Sequence, residues 1–220
     1  MKFTYYNATI SDFSHKHPSN ANQLFHMLWS SFASYTNLIV TTVTADTNIL
    51  SDVIRQIRLL TLDIGTSINK TLKCRKRNIH LSPKYEDELD VYVSRLPNDV
   101  IKTMIESMGS TWGALVSAIM QDIITLFIEI AHALVRGEGI NDMLTRLNAN
   151  TVQLLNVLQA AGNRPVLLSK GVKIWTQFNN LFIEQIQAII AKDNLLMVTL
   201  YNKLQLQSFA MTNFFNKLIL

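Results

Sequence analysis

Trp112-Gly-Ala-Leu-Val-Ser-Ala-Ile-Met-Gln-Asp-Ile-Ile-Thr-Leu-Phe-Ile-Glu-Ile-Ala-His-Ala-Leu-Val135 is the stretch on which the fold turns. Its polar positions are few: Ser117, Gln121, Asp122, Thr125, Glu129 and His132. Spacings of three and four place most of them on one narrow stripe of a helix. Everything else in the run is apolar. A helix that is apolar around most of its circumference belongs in the middle of a bundle or in lipid. A membrane span needs about 20 nearly uncharged residues. Two carboxylates and a histidine at mid-span make the buried position the better reading.

Working outward, the flanks supply the helices that would surround it. Upstream, a helix begins near Ser19 with Leu24, Phe25, Leu28, Trp29 and Phe32 on one face. The β-branched Leu38-Ile-Val-Thr-Thr-Val43 suits a continuation of that helix better than a short strand. Asp46 is a good N-cap for a second helix, in which Leu50, Val53, Ile54, Ile57, Leu60, Ile64, Ile68 and Leu72 keep the three-four spacing. Ser82 and Pro83 open a third, with Glu86, Asp87 and Glu88 near the positive end of its dipole. Pro97 breaks it, and Asn98 or Asp99 caps a short helix ending at Gly109. Downstream, Gly137-Glu-Gly139 ends the central helix. Three more follow, over Asn141 to Ala161, Val166 to Ala191 and Asn194 to the C-terminus. Gly162-Asn-Arg-Pro165 and Lys192-Asp193 separate them, and such short connections favour antiparallel packing. The pattern predicts an all-α, single-domain bundle of about seven or eight helices over residues 19–220, with an irregular N-terminal arm over 1–18.

Residues of the AVILMFWYC class make up 48 % of the chain and charged residues 16 %, where soluble domains average roughly 25 % charged. Mean hydropathy is +0.15 and the isoelectric point lies near 9.2. The net charge of +4 permits contact with phosphate or anionic lipid without demanding it. A surface short of charge is weakly protected against association, so a homo-oligomer is expected. Cys74 is the only cysteine, which rules out an internal disulfide and points to a reducing compartment. No apolar secretory segment follows Met1-Lys2, so the expected location is cytoplasmic or inside a particle. Asn7-Ala-Thr9 and Asn69-Lys-Thr71 match the glycosylation sequon by chance on that reading.

Catalytic patterns are missing. Glu129-Ile-Ala-His132 is a Glu-x-x-His pair, but di-iron bundles use two such pairs and this chain has no second. His15-Lys-His17 needs ligands from elsewhere, and His26 and His80 stand alone. There is no Gly-rich phosphate loop, His-Glu-x-x-His, paired-cysteine zinc pattern or Gly-x-Ser-x-Gly elbow. Cys74 beside Arg75 has a cationic setting but no assigned base. A non-enzymatic protein without metal or cofactor is expected.

Two surfaces suggest partners. Lys70, Lys73, Arg75, Lys76, Arg77, His80 and Lys84 gather at the end of the second helix and along the loop after it. Closely spaced cations on a mobile loop neutralise phosphates, and Tyr85 beside them offers a face for stacking a base. Glu86, Asp87, Glu88 and Asp90 follow directly and offer the competing reading of a salt-bridged surface. Nucleic-acid contact through Lys70, Lys73, Arg75, Lys76, Arg77 and Lys84 is one expectation, beside that salt-bridged surface and contact with an anionic membrane. The last helix is apolar to its end, and Phe209, Phe214, Phe215 and Leu218 are expected to form an assembly interface. The leading expectation is a structural protein of coat or nucleocapsid type that self-associates through apolar helix faces.

Ser110-Thr-Trp-Gly-Ala-Leu115, at the opening of the central helix, resembles the Asn-Trp-Gly-Arg signature of Bcl-2-like proteins, and Trp175 loosely matches their second tryptophan motif. Thr111 and Ala114 stand where the signature has Asn and Arg, and no complete Leu-x-x-x-Gly-Asp lies upstream. The resemblance covers six residues. It implies an alternative function: a helical regulator that binds amphipathic partner helices, or a membrane-active bundle whose central helix inserts once the fold opens.

Overall fold

The computed structural model describes residues 18–45, 49–96, 100–163 and 168–219. Eight helices run through them: α1 (Pro18–Thr44), α2 (Leu50–Cys74), α3 (Pro83–Arg95), α4 (Val100–Ser107), α5 (Trp112–Val135), α6 (Asn141–Gly162), α7 (Leu168–Ile190) and α8 (Asn194–Ile219). No strand forms among the described residues. The one extended contact among them is an isolated antiparallel bridge between His80 and Thr111. The all-α bundle and its helix count are as the periodicity implies, and Leu38 to Val43 continue α1 as helix. The N-terminal arm with His15 and His17, the Asp46 cap and the Asn98 or Asp99 cap lie outside the described residues.

α5 is the axis. It touches α1, α2, α3, α4, α6 and α7, and most of its side chains, from Trp112 to Ala133, are buried. Each fully buried Leu, Ile or Phe contributes about 1.5–3 kcal/mol relative to exposure, so this helix anchors the core. By length and composition α5 could also span a bilayer, but 83 % of its apolar window is enclosed by the other helices. α2 buries Val53, Ile57, Leu60, Ile64, Ile68 and Leu72, the three-four stripe read from the sequence, and packs it on α5 and α1.

α8 lies on the outside of the bundle against α1 and α7, with α6 at its end. Three aromatic side chains fasten it there: Trp29 of α1 sits 4.3 Å from Phe215 and 5.9 Å from Trp175 of α7, with Trp175 and Phe215 5.6 Å apart. This corrects one expectation. Phe214, Phe215 and Leu218 are buried in the chain's own core and do not form a free assembly face. Their spacing turns them inward, onto a groove that α1 and α7 leave open.

The helix ends are closed by specific groups. Lys76 takes a left-handed conformation (φ 55°) just past α2. The Lys76 N–H then bonds the Lys73 carbonyl at 2.9 Å and the Arg77 N–H the Leu72 carbonyl at 2.8 Å, the two bonds of a Schellman stop. Asp193 Oδ1 accepts from the Leu196 N–H at 2.9 Å and opens α8. Ser82 stands at the N-cap position of α3, but its hydroxyl makes no capping bond, so Pro83 at the first turn starts that helix.

Candidate interaction surfaces

The residues at the start of α5 form a built junction with α2. The first free N–H groups of a helix need acceptors, and here each has one. Trp112 N–H reaches the Ile79 carbonyl at 3.0 Å, Gly113 N–H the Asn69 Oδ1 at 2.9 Å, and Ala114 N–H the Thr111 Oγ1 at 3.3 Å. Asn69 Nδ2 donates to the same Thr111 hydroxyl at 3.1 Å. Above this cap α2 and α5 cross in backbone contact. A Cβ on Gly65 would overlap the Gly113 carbonyl and Ser117 Oγ, and one on Gly113 would lie 2.7 Å from Asn69 Nδ2. Only glycine lets the two helices approach this closely. Trp112 closes the junction from outside, with its ring 4.8 Å from Tyr85. Spacing and composition assign Gly65 no role and mark Asn69 only as part of a chance sequon, although a glycine inside an apolar helical run signals close packing.

The polar stripe of α5 divides between two neighbours within the chain. Towards α2, Ser117 Oγ donates to the Thr61 carbonyl at 2.9 Å, and Gln121 Nε2 donates to the Arg58 carbonyl at 2.9 Å and to Thr61 Oγ1. Towards α3 and α6, buried Asp122 accepts from Asn150 Nδ2 at 2.8 Å and lies 3.5 Å from Arg95 and 4.0 Å from Arg146. Arg146 also lies 3.6 Å from Glu129. Tyr92 donates to Asn150 Oδ1 at 3.1 Å. Burial pushes the Tyr92 phenol above its usual value, the Arg95 charge opposes this, and Asp122 and Glu88 add to it. Ser117, Gln121 and Asp122 of the stripe are therefore helix-to-helix ties, while Glu129 is exposed and His132 partly so. Among the described residues no cluster of three or more His, Cys, Asp or Glu gathers around Glu129 and His132 to hold a metal.

The basic segment is pinned in place. Leu81 N–H bonds the Ser110 carbonyl at 3.0 Å and Trp112 N–H bonds the Ile79 carbonyl, so residues 79–81 are tied to the start of α5. One expectation changes. The Arg77 guanidinium is turned inward onto the Gly162 carbonyl at the end of α6. Tyr85 is half-buried beside Trp112 with Lys84 Nζ 5.3 Å from its ring centre, and with Lys84, Glu88 and Gln153 it lines an open cavity between α3 and α6. Lys70, Lys73, Arg75, Lys76 and Lys84 are exposed, as is Cys74. Lys70 also partly offsets the burial that raises the Asp63 carboxyl on the same helix.

The other surface is on α8. Leu195 is 81 % exposed, Leu206 69 %, Val198 61 % and Phe209 46 %. They share the face opposite the buried Leu200, Leu204, Ser208, Met211 and Phe215. Of the expected interface only Phe209 is on it. The apolar content of α8 does not by itself separate the helix's two faces. No family model, curated protein or solved structure matches this chain.

Proposed function

We propose that the chain is a non-enzymatic helical regulator of the Bcl-2-like kind, one that takes an amphipathic partner helix. The observation that carries this is the α2–α5 junction. The Trp112-Gly113 pair behind the resemblance opens an enclosed apolar helix, and Gly113 lies in backbone contact with Gly65 of α2. Ile57, Ile64 and Ile68 of α2 are buried around that contact. Val91 on α3 and Met104 on α4 are exposed apolar side chains. Titration of a labelled amphipathic helical peptide carrying Leu-x-x-x-Gly-Asp, followed by fluorescence anisotropy, tests the proposal. Saturable one-to-one binding is expected; no saturation at the highest soluble concentration overturns it.

A second reading, the coat or nucleocapsid-type protein, is favoured by the exposed Lys70, Lys73, Lys76 and Lys84. It requires binding to RNA or DNA whose affinity falls steeply with salt. A gel-shift series across salt with single-stranded RNA and duplex DNA separates the two readings.

A further inference from the structure

We infer that α8 pairs with α8 of a second copy, antiparallel, with Asn202 on the two-fold axis. The inference is independent of the helix-binding function proposed above. It starts from the symmetry of the exposed stripe. Val198 lies four residues before Asn202 and Leu206 four after; Leu195 lies seven before and Phe209 seven after. All five project from one narrow face at 100° per residue, and all five are exposed.

An isologous contact requires a surface that is complementary to itself under a two-fold rotation. An antiparallel pair centred on Asn202 meets that requirement. Leu195 falls level with the other copy's Phe209, Val198 falls level with Leu206, and the two Asn202 amides face each other. Asn202 in the middle of an apolar seam also fits the use of a buried asparagine to fix register. The seam runs about 21 Å along the helix. Covering it on both copies removes on the order of 1,000 Å² of surface, the threshold for specific association.

Charge sets a further expectation. The seam itself carries none. Lys203 stands on its flank, exposed, and a two-fold places both copies' lysines on the same side of the pair. Salt screens that repulsion, so the dimer tightens as ionic strength rises. An association driven by opposite charges would weaken.

The test is sedimentation equilibrium of the full chain over a range of concentration and salt, beside two variants. The unaltered chain is expected to be a dimer that tightens with salt. Leu206→Glu is expected to weaken it by roughly a hundredfold, since each dimer loses two such contacts and buries two charges, while the circular-dichroism melt of the monomer stays unchanged. Asn202→Cys in a Cys74→Ser background is expected to oxidise to a covalent dimer, whereas Lys217→Cys in the same background is not. A monomer at all concentrations overturns the inference. So does a dimer indifferent to Leu206→Glu, or one in which the Asn202→Cys variant fails to cross-link.

Discussion

Asp63 is half-buried in α2, and burial raises its carboxyl above the ordinary 3.8, with Lys70 as a partial offset. A carboxyl whose folded value is raised favours the fold below its unfolded value and loses that contribution as pH rises through the folded one. At neutral pH the charged Asp63 therefore weakens the fold. Asp63→Asn is expected to raise the melting temperature at pH 7, with the gain shrinking towards zero by about pH 3; a gain that is the same at both pH values would refute the assignment. Lys76 carries a different cost, since a side chain in the left-handed region is disfavoured by about 1 kcal/mol. Lys76→Gly is expected to stabilise by about 0.5–1 kcal/mol in urea unfolding. Neither effect is legible in the sequence: nothing local marks Asp63 as buried, Lys76 reads only as one cation of the basic cluster, and the burial of one and the backbone of the other set them apart.

Among the elements, the α2–α5 crossing has the least tolerance. Gly113→Ala forces a methyl group into Asn69 and the Gly65 carbonyl, and is expected to cost about 3 kcal/mol or more. Asn69→Ala leaves the Gly113 N–H without its acceptor and is expected to cost about 1–2 kcal/mol. Chemical denaturation of both variants checks the order, and a larger loss for Asn69→Ala would mean that the backbones are not in contact. Helix positions are readable because apolar spacing and Gly or Pro punctuation act locally. The start of α5, its end at Gly137 and the break at Lys192-Asp193 all stand within a residue or two of the sequence expectation. The partner of Gly113 is not readable, because Gly65 is 48 residues away and nothing local marks which glycine meets which.

For the whole molecule, the aromatic trio of Trp29, Trp175 and Phe215 locks α8 to α1 and α7. Phe215→Ala is expected to lower stability by about 3–5 kcal/mol, by an amount that does not depend on protein concentration. A concentration-dependent loss would restore Phe215 to an interface between copies. Composition and periodicity alone determined that the chain is helical, that it has one core and that residues 112–135 lie at its centre, because the burial of apolar surface is set by how much of it there is and how it is spaced. Tertiary structure decided which face of α8 turns inward, that Arg77 serves the fold, and that Ser117, Gln121 and Asp122 of the α5 stripe are satisfied within the chain. The reason is physical: an apolar or charged side chain is equally suited to a neighbour in its own chain or in another, and only the packed arrangement determines which of them reaches it first.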